Sequence, residues 1–133
     1  MTPRKTTLMA AALAAAATAL FSPPARTAGL ADMSFEEHVA EADVVVLAKR
    51  PKGVRGKPRE DASGQLVLTS MDVLRVLKGD KNLRNFDLVT KSDMVELNPG
   101  CCAAGRSYLL LLKRGYGRMY EVVNGRYSVI VVP

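Results

Sequence analysis

From Val44 onward the chain is a succession of short apolar runs rich in Val and Leu, each cut off by Gly, Pro, Asn or a cluster of charges. Runs of this length without helical period read as strands, and the turn signals between them set how often the chain must reverse. Val44 to Ala48 is apolar without alternation and rich in β-branched residues, the pattern of a strand buried on both faces. Gln65 to Leu77 is too long for an ordinary flat strand, and its apolar phase blurs around Asp72 and Val73. A bulge or bend there would let one strand serve two sides of a barrel. Lys78 to Lys81 closes it with a turn, and Phe86 to Thr90 reads as a third strand. Asn98, Pro99 and Gly100 form another turn before a central strand at Tyr108 to Leu112. Asn124 and Gly125, between Glu121 to Val123 and Arg126 to Val132, are the preferred pair for a type I′ turn and predict a hairpin. Such spacing favours a closed β architecture over an α/β one.

One helix precedes the strands. Ser34 with Glu37 three residues on is a capping-box signature, in which hydroxyl and carboxylate satisfy backbone donors at a helix start. Phe35, Val39 and Ala42 fall on one face, which is expected to pack on the first strand, while Glu36, Glu37 and Glu41 look outward. His38, the sole histidine, is expected to be an ordinary polar helix residue. Lys49 to Gly64 carries Pro51, Gly53, Pro58 and Gly64 and is expected to be irregular.

The start of the chain has a different character. Arg4 and Lys5 precede an uncharged, mostly Ala and Leu run from Leu8 to Phe21, which Ser22, Pro23 and Pro24 break. This is the pattern of a secretory signal peptide, with small residues at Ala25, Ala28 and Ala31 as cleavage points. The run is shorter than the roughly 20 apolar residues that a bilayer span needs, and no Cys follows it to carry a lipid. The expected division is a signal peptide over residues 1–28 and one β-barrel domain over residues 29–133, exported to the periplasm or the extracellular space. Material from the exported fraction should therefore start within residues 26–32 by intact mass, and full-length protein held in the membrane would contradict export. Residues 1–28 hold three of the 19 basic residues and none of the 13 acids, so cleavage after Ala28 lowers the formal charge from +6 to +3. A mild excess of this kind does not indicate a nucleic-acid surface, which needs a clustered basic footprint.

The order of the segments carries a resemblance. In Ala42 to Lys49 an Ala-Asp pair opens a Val run that ends in Ala-Lys; Val73 to Gly79 finishes in Lys-Gly; and Tyr108 to Leu111 is a Tyr-Leu run after a Gly-containing turn. Together, over roughly residues 35–133, they resemble the netrin-like module shared with tissue inhibitors of metalloproteinases. The resemblance implies a mainly β fold: an OB-like closed antiparallel barrel of five to six strands with one short N-terminal helix. Inhibitors of that family chelate the zinc of their target through a Cys-x-Cys at the mature N-terminus. No Cys precedes Cys101, so that wedge has no counterpart in this chain.

Cys101 and Cys102 are adjacent and are the only cysteines. An oxidising compartment favours a disulfide, here a vicinal one that stiffens the turn from Asn98 to Gly105; a free or intermolecular thiol pair and a metal or redox role are the other readings. Zinc wants four ligands, and His38 lies far away in the sequence. The second feature is a basic loop, Lys49, Arg50, Lys52, Arg55, Lys57 and Arg59, with no acid among them. In OB-like barrels the connection between the first two strands borders the ligand face, so this loop is where an anionic ligand such as lipopolysaccharide or an acidic glycan is expected, against the alternative of a solvated connection. It lacks the aromatic residues on which single-stranded nucleic acid stacks.

No catalytic constellation appears. Asp43, Asp72, Asp80 and Asp87 are scattered over strand edges and turns, and neither a phosphate loop, a paired metal motif nor a serine-nucleophile elbow is present. Tyr108, Tyr116, Tyr120 and Tyr127 are expected in the core or at the rim of the barrel. The expectation is a non-enzymatic binding or structural module without catalytic residues, cofactor or metal. Its partner is expected to be a protein or an anionic envelope component, with no nucleic acid and no membrane anchor after cleavage. Protease inhibition through other barrel loops and redox or metal work at Cys101 and Cys102 are the alternatives.

Overall fold

A computed structural model describes residues 32–133; the leader expected over residues 1–28 lies outside them. The described chain is mainly β, a closed five-stranded barrel with two further strands and one short helix. The helix α1 (Phe35–Glu41) starts as the sequence indicates: Glu37 N–H donates to Ser34 Oγ at 3.2 Å and Ser34 N–H to Glu37 Oε2 at 2.7 Å.

The barrel staves are β1 (Val44–Lys49), β3 (Val67–Lys78), β4 (Asn85–Lys91), β5 (Ser107–Arg114) and β6 (Met119–Val122). Around the barrel the order is β1, β3, β4, β6, β5 and back to β1. All contacts are antiparallel except the closing one, where β4 and β6 run parallel through Asp87 with Met119 and Leu88 with Tyr120. An entirely antiparallel barrel is thus corrected at one seam, because β5 crosses over to pair with β1 and brings β6 back beside β4 in the same direction.

The long strand divides its work as its blurred phase implies. Residues 67–72 of β3 pair with β4 and residues 72–78 with β1, so the strand changes neighbours at Asp72. The β1 register skips Leu74 and Leu77, which bulge outward and are half exposed. Inside the barrel Val44, Val46, Ala48, Met71, Phe86, Leu88, Leu110, Leu112, Tyr120 and Val122 form one cluster, with Phe86 edge-on to Tyr120 at 5.4 Å. Outside it, Ala42, Val45 and Leu111 with Val39 form a smaller one beneath α1. β1 is therefore covered on both faces, as its unbroken apolar run requires.

Further expectations are corrected. Lys49 to Gly64 is not wholly irregular: it holds a 3₁₀ turn (Val54–Gly56) and a two-residue strand β2 (Arg59–Glu60) that pairs with Leu68 and Val67. Phe35 is half exposed, and the helix buries His38 instead, which is only 5% exposed. His38 Nδ1 lies 2.6 Å from the Ser34 carbonyl, which can only accept, so Nδ1 carries the proton; Nε2 faces the Asn124 amide at 3.1 Å.

Asn124 and Gly125, finally, do not turn a hairpin. β6 and β7 (Val129–Val132) lie end to end along the same edge of β5, Val122 opposite Leu112 and Val129 opposite Leu110. Placed end to end along one edge of β5, they do not lie side by side and so cannot bond to each other. The intervening residues loop outward from Leu111, whose carbonyl accepts from Val123 N–H and whose N–H donates to the Ser128 carbonyl, both at 3.1 Å. Gly125, at φ 54°, hands its N–H to Glu96 at 2.8 Å.

Candidate anion-binding groove

The basic loop does not act as one unit. Arg50 turns inward: its Nε donates to the Gly56 carbonyl at 2.7 Å and its Nη1 to the Cys102 carbonyl at 2.5 Å. It also accepts at its own carbonyl from Gly105 N–H at 2.7 Å. This residue pins the loop after β1 to the turn before β5. Lys52 runs past Gly105, where a β-carbon would meet its Cε at 2.5 Å. Lys49 and Lys57 are exposed.

Arg55 and Arg59 go elsewhere. With Arg118 they line an open groove of about 330 Å³ on the outer wall of the barrel, together with Val54, Ser70, Asp72 and Asn85. The floor comes from β3 and the start of β4, one wall from the 3₁₀ turn and β2, the other from the turn between β5 and β6. Pairing of β2 with β3 is what aims Arg59 across the floor. Its guanidinium donates to Ser70 Oγ and Asp87 Oδ1, each at 2.8 Å, and Ser70 Oγ donates to the same carboxylate oxygen at 3.1 Å. Arg55 pairs with Asp72 at 2.6 Å. Arg118 donates to the Asn85 side-chain carbonyl, a neutral partner. The β2–β3 turn is tied by Asp61, whose carboxyl sits below the usual carboxylate range because Ser63 Oγ and the N–H groups of Gln65 and Leu66 donate to it.

Of the expected anion-binding residues, two of six reach the groove. Arg118 was not legible as a partner in the sequence: it lies far downstream, and only closure of β4 on β6 brings it across, with Asp87 N–H donating to its carbonyl at 2.9 Å. Asp72 and Asp87, which look scattered in the sequence, both face this wall.

Cys101 and Cys102 are joined to each other by a disulfide across a cis peptide bond, with Cα atoms 3.1 Å apart. They sit in the turn that Arg50 holds from one side and Tyr108 from the other, its hydroxyl accepting from Ala103 N–H at 2.7 Å. Replacing both by Ser should leave the protein folded and lower its stability by only about 1 kcal/mol, since so short a closed loop removes little entropy from the unfolded chain. A loss of several kcal/mol in chemical denaturation would contradict this. Among the described residues no three or more His, Cys, Asp or Glu side chains are grouped to hold a metal, and no helix is long and apolar enough to cross a membrane.

Compared with family models, curated proteins and solved structures, the chain matches none. The groove therefore has to be read from its own chemistry.

Proposed function

We propose that this protein is an exported, non-enzymatic binding module that takes an anionic envelope component on the outer wall of its barrel. One observation carries the reading: Arg55, Arg59 and Arg118, from three separate segments, converge on a single groove. Guanidinium groups present rigid forks of donors that suit carboxylate, phosphate and sulfate oxygens. The groove also occupies the position at which OB-like barrels hold extended ligands, the face of the second and third barrel strands between the flanking loops. The netrin-like resemblance of residues 35–133 belongs to the same proposal, as the source of an OB-like binding barrel without the zinc-chelating wedge.

The test is retention on a heparin-like or lipopolysaccharide matrix. Arg55, Arg59 and Arg118 replaced together by Ser should abolish retention, while the thermal transition moves little, because exposed ion pairs contribute about 0–1 kcal/mol each. Retention of the wild type should fall with salt as the screening length drops below about 8 Å. A wild-type protein that passes through both matrices at low salt would overturn the proposal.

A further inference from the structure

We infer that the ligand of this groove is an acidic oligosaccharide, a chain of hydroxyl-bearing rings with occasional carboxylate or sulfate groups, rather than a continuous polyanion. The inference rests on the reading of the groove as an anion site.

Two of its three guanidinium groups already face carboxylates, Arg55 with Asp72 and Arg59 with Asp87. A backbone with a charge on every unit, such as polyphosphate or nucleic acid, would have to lie against Asp72 and Asp87 as well as the arginines, and like charges brought together in this way repel. A saccharide uses the same residues in another way. Its hydroxyls donate to Asp72, Asp87 and the Asn85 carbonyl and accept from Arg55, Arg59 and Ser70, so the alternation of donors and acceptors becomes the match. Arg118 is the guanidinium whose partner in the groove is neutral, the Asn85 carbonyl. It is the place for the acidic group, which it can grip through two parallel hydrogen bonds.

The turn that supplies Arg118 also carries Tyr116, 90% exposed, and the opposite rim carries Val54, 82% exposed. Met119 N–H donates to the Tyr116 carbonyl at 2.9 Å, so the backbone under the ring is held. An exposed aromatic on the turn that supplies one of the groove's arginines suits the apolar C–H face of a sugar ring. It does not suit a nucleic-acid strand, whose successive bases need successive aromatic platforms. The volume is at the low end of ligand sites, which span roughly 300–1,000 Å³, and so fits a short stretch of glycan.

Calorimetry on the purified protein with four probes tests this: a tetrasaccharide bearing a single uronate, a tetrasaccharide bearing a single sulfate, a neutral tetrasaccharide and inorganic polyphosphate. At least one acidic saccharide should bind more tightly than both the neutral one and polyphosphate. Tyr116→Ala should weaken that saccharide about tenfold, the scale of losing one aromatic stack, with polyphosphate unaffected and Tyr116→Phe restoring most of the affinity. Arg118→Gln should weaken the acidic saccharide about tenfold or more and leave the neutral one unchanged. Polyphosphate binding best, with Tyr116→Ala silent, would overturn the saccharide inference and leave the anion groove standing. Failure of every anion to bind would overturn both.

Discussion

Leu110→Ala is expected to lower the unfolding free energy by about 2 to 4 kcal/mol, and Val46→Ala by a comparable amount, through lost burial and the cavity each leaves. Both side chains are fully buried, and they meet across the β1–β5 pairing, Val46 opposite Leu110. That position matters because β1 and β5 form the seam on which the remaining staves hang: β3 pairs on one side of β1, and β6 and β7 on the far edge of β5. The measurement is a denaturant midpoint at constant slope, since a constant slope shows that the surface exposed on unfolding is unchanged. A shift below about 0.5 kcal/mol, the scale of an exposed site, would remove both residues from the core and with them the closed barrel.

Gly56→Ala is expected to damage the groove without touching a residue that lines it. A β-carbon at Gly56 would lie 1.8 Å from the Pro51 carbonyl oxygen, a backbone atom that cannot swing aside. The Gly56 carbonyl is also one of the two that Arg50 bridges. Relief of the overlap must therefore move the 3₁₀ turn away from Arg50 and carry Arg55, its neighbour, out of line with Asp72. Overpacking of this kind costs about 1–3 kcal/mol. Retention on the anionic matrix should fall with it, in the direction set by the triple arginine variant, while the far-ultraviolet spectrum keeps its β signature. Unchanged retention would mean that the turn after β1 does not shape the groove.

Much of the architecture is written locally. The capping box at Ser34 and Glu37, the unbroken apolar run of β1, the change of partner in β3 at Asp72 and the central place of β5 follow from residue order, because each depends on neighbours within a turn or a strand's length. The hairpin expected at Asn124 and Gly125 did not form, for a reason that no local pattern contains. Turn propensity says that a chain can reverse, whereas the edge of β5 decides which strand takes the hydrogen bonds, and it takes both β6 and β7. His38 shows the same limit from the other side. Its place among Glu36, Glu37 and Glu41 suggests a solvated residue, yet the outward loop at residues 123–128 brings Asn124 over it and makes burial of a polar ring affordable in hydrogen bonds.

The candidate site divides along the same line. By itself the sequence determined that positive charge is concentrated between Lys49 and Arg59, next to the first strand of a small β domain. Which of those charges face a ligand was decided only by the tertiary structure. Arg50 was drawn inward by two backbone carbonyls, Gly56 and Cys102, that accept from its guanidinium. Arg55 and Arg59 were turned onto the wall of β3 by a short strand pairing, and Arg118 was added by a parallel seam between strands distant in sequence. Charge is a property of residues and survives in any conformation, but a binding groove is a set of directions in space, and those exist only once the barrel has closed.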